Sequence, residues 1–449
     1  MSRHETVVPD TAAALYRRAC VTTNYSRRKM IRLTADSAEL MFAAGLLLRL
    51  IVCGFCYPHH LSPARNHWQF GYEMGRVARS IWQGNGFSSP LDDATGPTAF
   101  YAPIYPYLIA LCLKISGGVN PASSVAILSL NSVFSAGTVF PICRLADILF
   151  GRKTARYAGW TWAFYPYGID FSANRIWENA LACLLFSCAL LQTVQLWQRW
   201  RNQKSALWGA TWGVAALVSP SLVAPFPILA AWLGLRKPRR QNALRILIPA
   251  SMFLITIAPW SYRNYRVFHR LIPLRDNFWL EVHVGNNGDL SDVTPDSGLL
   301  SHNHLEYGRF KTLGETGYMA AKRAEYLGKA QAHPWFFLRM IFRHFLYHWT
   351  GFWSFDREFL MKEPFEIQNM AVSCSMLCLM LVGIRRAARR HLLGSCAPLL
   401  IALAIYPAVY YVTHSSPEYR HPMDPIAIVF GCFAIACRRE PVAAVTQPE

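Results

Sequence analysis

Apolar residues in this chain gather in long runs separated by short basic clusters, and that alternation sets the first expectation. Leu40 to Tyr57 is apolar except for Arg49, and comparable runs recur through to Ala436. A helix needs about 20 such residues to cross a hydrocarbon core. Between the runs stand Arg152, Lys153 and Arg156; Arg199, Arg201 and Lys204; Arg236, Lys237, Arg239 and Arg240; Arg385, Arg386, Arg389 and Arg390; and Arg438 with Arg439. Lys and Arg in short loops mark the cytoplasmic side of a membrane protein. The basic stretch before Ala38 joins them as an expected cytoplasmic tail, too long for a signal peptide and followed by no small-residue cleavage site.

Two cytoplasmic clusters must be separated by an even number of crossings, and this parity resolves what hydropathy leaves open. The 31 residues between Lys204 and Arg236 then form two short spans turning at Ser219-Pro220-Ser221. Ile104 to Ile115, with Pro106 near its start, becomes an interfacial helix on the far face. The predicted fold is an all-α polytopic membrane protein with about ten spans, near residues 40–57, 122–143, 157–172, 176–196, 205–219, 222–235, 245–262, 366–384, 392–413 and 424–437. Residues 1–38 and 438–449 are expected to be cytoplasmic tails, residues 39–437 the transmembrane domain, and residues 58–121, 263–365 and 413–424 its outer loops.

Composition agrees. Charged residues make up 16% of the 449 against 53% hydrophobic, where soluble domains carry about 25% charge. The net charge of +19 is carried mainly by the clusters assigned inside, so it reads as an orientation signal and no nucleic-acid partner is expected. No internal repeat is visible, unlike many secondary transporters. Most cysteines fall inside apolar runs, where Cys acts as a small hydrophobe; Cys53 and Cys56 read as helix lining. His302 and His304 with Glu306, and the pair His59 and His60, lack metal-site spacing. No phosphate-binding Gly-rich loop or dinucleotide fingerprint is present.

The expected outer face holds the remaining chemistry. Gly71 to Trp82 predicts a short amphipathic helix resting on the membrane, with Glu73, Arg76 and Arg79 in reach of water. Gly96 to Pro106 is a stiff Pro-aromatic segment. Glu178 lies close to the outer end of a span, where an acid is costly and either pairs with Arg175 or serves function.

In order along the chain come an outer-loop helix with an acid, Gly84-Asn85-Gly86-Phe87, Gly96-Pro97-Thr98-Ala99, and Tyr101-Ala102-Pro103-Ile104-Tyr105-Pro106. Then follow Ala258-Pro259-Trp260, Arg263-Asn264-Tyr265, Arg275-Asp276-Asn277, Glu281, Gly285-Asn286-Asn287, Gly314-Glu315, Tyr318, His333-Pro334 and Tyr419-Arg420-His421-Pro422-Met423-Asp424-Pro425. This order resembles the GT-C fold glycosyltransferases, in particular the bacterial relatives of aminoarabinose transferase and protein O-mannosyltransferases. The resemblance implies a cell-envelope enzyme of the bacterial inner membrane that moves a sugar from a polyprenyl-phosphate carrier to a lipid, glycan or protein acceptor on the non-cytoplasmic face, with inversion. It also implies a catalytic acid in the first outer loop and a second near the outer end of a later span, here Glu73 and Glu178. The family's first acid would fall near Phe70, which keeps Asp92 and Asp93 as substitutes, and Tyr101 and Ala102 stand where a Lys is usual.

Such a displacement needs a carboxylate for the acceptor and cations for the leaving phosphate. Arg420, His421, Arg263 and Arg275 are the candidates for the phosphate, since Arg binds it bidentately. Tyr101, Tyr105, Asn286 and Asn287 are the candidates for substrate binding. No cofactor is assigned, and a divalent metal ion stays open. Two other readings also stay open: a transporter or flippase of a lipid-linked or small solute, and an inactive relative that only binds the carrier lipid.

Overall fold

The computed structural model describes residues 37–58, 71–91, 94–235, 239–286, 300, 303–362 and 364–436. Among them there is no strand, only one isolated bridge between Ser88 and Pro97. The chain opens with α1 (Ala38–Cys56), the amphipathic α2 (Tyr72–Trp82) and α3 (Ile104–Ser116). There follow α4 (Pro121–Gly137), α5 (Val139–Phe150), α6 (Arg152–Ala163), α7 (Pro166–Ala173), α8 (Asn179–Gln198) and α9 (Asn202–Val218). A single 3₁₀ turn, Pro220–Val223, then leads into α10 (Phe226–Gly234) and the long α11 (Arg239–Phe268). The outer part continues with α12 (Phe278–Gly285), α13 (His304–Ala332), α14 (Pro334–Thr350) and α15 (Arg357–Lys362). The last group is α16 (Glu366–Arg389), α17 (Leu393–Ile405), α18 (Ala408–Val412), α19 (Pro417–Arg420) and α20 (Asp424–Ala436).

Among the described residues, six helical stretches are long and apolar enough to cross a membrane: Ala38–Cys56, Pro121–Phe150, Asn179–Gln198, Ala243–Phe268, Glu366–Arg389 and Leu393–Val412. Helix also covers the other four expected spans, but in shorter or broken pieces. Residues 157–172 divide at Phe164-Tyr165 because Pro166, with no N–H to donate, starts a new helix. The turn expected at Pro220 is present. Residues 245–262 belong to a helix that runs on to Phe268 through two internal prolines, so the outer loop starts later than residue 263.

Burial separates the interior from the periphery. The α4–α5 stretch and α8 are more than half buried, whereas α1, α11 and α16 keep most of their apolar surface outward. Leu47, Ile51 and Phe55 on α1 and Leu247, Leu254 and Ile255 on α11 are exposed. Apolar helix faces of that extent suit a lipid surround. Trp162, Trp208, Trp212, Phe186 and Tyr406 fill the interior. A second apolar cluster, including Val77, Phe100, Tyr105, Ile176, Trp260 and Tyr318, joins the outer segments to the ends of the spans.

Arg49, in mid-span, is fully buried and has a structural task. The break after α6 strands that helix's last carbonyls. Arg49 donates to Ala163 O at 2.9 Å and Trp162 O at 3.3 Å, and its Nε reaches Ser135 Oγ at 3.0 Å. A Cβ at Gly45 or Gly168 would press on the guanidinium, and at Gly45 also on the Ala163 backbone. Cys53 is buried and Cys56 half-buried on α1, and the described cysteines are free thiols.

Candidate active site at the outer helix ends

The amphipathic pattern of residues 71–82 places Glu73 in the first turn of α2, and a close backbone approach then brings it beside a distant acid. Gly71 starts the helix with φ +84°, and a Cβ there would collide with the carbonyl oxygen of Ile176. Only glycine meets both demands. The ring of Tyr72 meets Trp177 edge-on at 5.6 Å. The first turn of α2 therefore lies against Ile176-Trp177-Glu178, and Glu178 occupies the N-cap position of α8.

The segment between α11 and α12 supplies the cation. Arg275 Nη2 lies 3.6 Å from Glu281 Oε1, and its guanidinium lies 5.9 Å from the Tyr101 ring centre. The Tyr101 hydroxyl donates to Glu73 Oε2 at 3.2 Å, and Asn277 Nδ2 donates to Glu281 Oε1 at 2.6 Å. From the third outer segment, His414 Nδ1 stands 3.8 Å from Glu281 Oε2 and Nε2 pairs with the Tyr419 hydroxyl at 3.0 Å. Tyr419 stacks on Tyr410 at 4.9 Å. Gly285 allows this closure, since a Cβ there would run into Thr413 and His414.

Arg275 thus serves Glu281 and Glu178, Arg76 faces Glu73, and the three carboxylates gather around Tyr101. Burial raises the pKa of Glu73 and of Glu281, with Arg76 opposing the rise at the first and Arg275 at the second. Burial also lifts Glu178 to about 7, with Arg275 opposing; its Oε2 has no hydrogen-bond partner. Burial works against the Arg275 charge, but Glu281, Tyr101 and Glu178 hold its pKa above the usual value. Burial lowers His414 to about 4, so at neutral pH it is an uncharged imidazole. A carboxyl poised near neutrality beside a fixed cation suits proton transfer and anion binding.

The other candidates lie apart from this cluster. Arg263 donates to Thr98 O at 2.6 Å and Phe87 O at 2.8 Å, bracing the first outer loop. Arg420 and His421 are buried, and both donate to Asp424, at 3.2 and 3.0 Å. Tyr105 is buried with its hydroxyl on Asn131. Asn286 is buried and donates to Val282 O and Val412 O, both at 2.8 Å. Asp92, Asp93, Asn287, His302, His59 and His60 lie outside the described residues. Arg175 pairs with Asp170 and Glu418 instead of Glu178. Glu281, His414, Tyr410 and Tyr419 were not singled out as site residues by sequence; the Asn277-to-Glu281 helical spacing beside Arg275 is a signal that could have found the first.

A second carboxyl pair ties the outer loops together. Glu315 accepts from Thr98 Oγ1 at 2.5 Å and from Ala99 N at 2.6 Å, and Asp276 N donates to Ala99 O at 3.1 Å. Burial raises the pKa of both acids, and their mutual repulsion adds to the rise at Glu315. No other donor reaches the Asp276 oxygens, so a proton shared with Glu315 satisfies both groups.

Among the described residues no three His, Cys, Asp or Glu side chains converge closely enough to hold a metal ion. Glu306 illustrates the point: near His304, it is engaged by Tyr318, Lys322 and Arg309.

No protein-family model matches the sequence, and no curated protein is similar to it. Solved structures do share its fold. The archaeal oligosaccharyltransferase AglB from Archaeoglobus fulgidus, in complex with an inhibitory peptide and a dolichol-phosphate, is 13% identical with a TM-score of 0.50, the match covering 87% of this chain and 50% of that one. The apo form of the Archaeoglobus fulgidus oligosaccharyltransferase gives 13% identity and a TM-score of 0.50, covering 88% of this chain and 50% of that one. The chain spans about half the length of these structures, and the fold it shares with them is the GT-C fold.

Proposed function

We propose that this chain is an integral membrane glycosyltransferase that moves a sugar from a polyprenyl-phosphate carrier to an acceptor on the non-cytoplasmic face. The observation that carries the reading is the meeting of Glu73 and Glu178 with Arg275 at the outer helix ends of a GT-C fold. The dolichol-phosphate held by the archaeal oligosaccharyltransferase supports a lipid-phosphate carrier here. The requirement for an even number of crossings between the basic clusters supports ten spans, with residues 1–38 and 438–449 cytoplasmic.

In the reaction an acceptor hydroxyl attacks the anomeric carbon from the face opposite the carrier, and the bond to the phosphate oxygen breaks as the new glycosidic bond forms. Glu73 takes the hydroxyl proton, and its hydrogen bond from Tyr101 orients it. Glu178 positions the acceptor in its ionised form. Arg275 faces the departing phosphate and stabilises the charge that collects there. We assign that role to Arg275 ahead of Arg263, whose guanidinium is directed to Thr98 O and Phe87 O, and ahead of Arg420 and His421, which are held on Asp424. No step is routed through a metal.

The test supplies labelled polyprenyl-phosphate sugars to purified protein in liposomes with envelope glycan, lipid and protein acceptors. Transfer of label that disappears in Glu73→Gln supports the reading. A folded sample that transfers label from none of the donors sinks it.

A further inference from the structure

A cavity of about 460 Å³ opens at the end of the molecule opposite the candidate active site, between the start of α1, the end of α5 and the start of α6. Its polar wall carries Arg144, Arg152, Lys153 and Arg156 against one carboxylate, Asp147, which Arg144 already engages at 3.1 Å. Glu39 also approaches this region, near Cys143. Among the described residues Arg152 and Lys153 have no acidic partner, so cations remain in excess here.

Three features give the excess a direction. Arg152 and Lys153 sit in the first turn of α6, which has no acidic residue and no side-chain cap. Cations at that helix end oppose the helix dipole, so an anion there relieves both. The floor is apolar, made by Met41, Phe140 and Cys143. Phe140 is 42% exposed and pairs with Phe42 at 5.4 Å on the outside of the bundle, which leads from the cationic wall to the acyl region of a surrounding bilayer.

We propose that this cavity binds the phosphate headgroup of an anionic membrane lipid, the acyl chains lying along α1 and α5 past Phe42 and Phe140. A basic pocket between membrane helices on the cytoplasmic side matches an anionic headgroup in charge and depth. The apolar floor favours a lipid over a soluble phosphate. The site is separate from the outer acid cluster, so binding is measured without turnover and stands or falls independently of the transferase reading.

The experiment is native mass spectrometry of the full chain from nanodiscs of equal phosphatidylglycerol and phosphatidylcholine with matched acyl chains. The expected result is one retained phosphatidylglycerol per chain. The combined variant Arg152→Gln, Lys153→Gln should retain it roughly 25-fold more weakly, at about a factor of five per cation removed. Arg152→Lys with Arg156→Lys should keep it, which separates charge loss from misfolding. Equal retention of the two lipids, or undiminished retention in the combined variant, overturns the proposal. Displacement of the lipid by millimolar inorganic phosphate also overturns it, assigning the cavity to a soluble anion.

Discussion

The clusters of Arg and acid around Arg420 and around Arg275 differ in stoichiometry. Around Arg420 one guanidinium meets one carboxylate: Asp424 receives both Arg420 Nε and His421 Nδ1, inside a shell of Tyr165, Tyr167 and His348. Around Arg275 one guanidinium meets two carboxylates, Glu281 at a loose 3.6 Å and Glu178, while a third acid, Glu73, stands across Tyr101 facing Arg76. A matched, fully buried pair holds helices in place. An excess of buried acid is costly to folding and is retained where its proton affinity or its electrostatic field has work to do. Arg420 and Arg275 are equally basic in sequence, and it is their surroundings that differ.

The largest expected break of this contrast is in turnover. Glu73→Gln and Glu178→Gln should each lower the rate of sugar transfer by roughly 10²–10⁴ while thermal unfolding stays near that of the parent. Arg275→Gln should cost roughly 10²–10³, the usual loss when one group stabilising transition-state charge is removed. Asp424→Asn should do the reverse. It leaves Arg420 buried without its counter-charge, at a cost of about 3–5 kcal/mol of stability, seen as a large fall in unfolding temperature in detergent. If Asp424→Asn abolished turnover with unchanged stability, the division between the two clusters would fail.

A smaller effect sharpens the roles inside the outer cluster. Glu178, raised to about 7 by burial, is largely protonated in mild acid and ionised in mild alkali. Since the proposed role needs the carboxylate, kcat/KM should rise with pH through an apparent pKa near that value. The residual activity of Glu178→Gln should lack this limb. A profile that falls over the same interval would make the protonated acid the working form.

Much of the architecture was legible because apolar length and proline position are local properties. The amphipathic pattern of residues 71–82 became α2, and the short apolar run at Ile104 became α3. The break inside residues 157–172 was carried by Pro166, but its repair was not legible. Arg49, over a hundred residues away, caps the interrupted helix, and no local pattern announces that. The site divided in the same way. Glu73, Glu178 and Arg275 were visible as charges at outer helix ends, yet so were Arg263 and Arg420. Distinguishing them requires knowing what each guanidinium meets, as Arg263 meets carbonyls 165 and 176 residues away. His414 and Tyr419 reach the cluster only because Gly285 admits Thr413 against α12.

The smallest prediction concerns the clamp beside the cluster. Glu315 and Asp276 hold the first outer loop to the second, and burial with mutual repulsion raises the pKa of Glu315 above its ordinary value of 4.5. Below that ordinary value the folded and unfolded chains both carry the proton, and the clamp is at full strength. As pH rises the unfolded chain ionises first while the folded pair keeps its proton. Stability therefore falls through the interval up to the raised pKa and then levels off. Glu315→Gln retains an acceptor for Ala99 N and offers its amide to Thr98 Oγ1 and Asp276, so the clamp should persist without the pH dependence. Unfolding temperatures across mildly acidic to mildly alkaline buffers should decline in the parent and flatten in the variant. A slope unchanged by Glu315→Gln would move the titrating group into the three-carboxylate cluster itself, and the excess acid around Arg275 would then govern stability as well as chemistry.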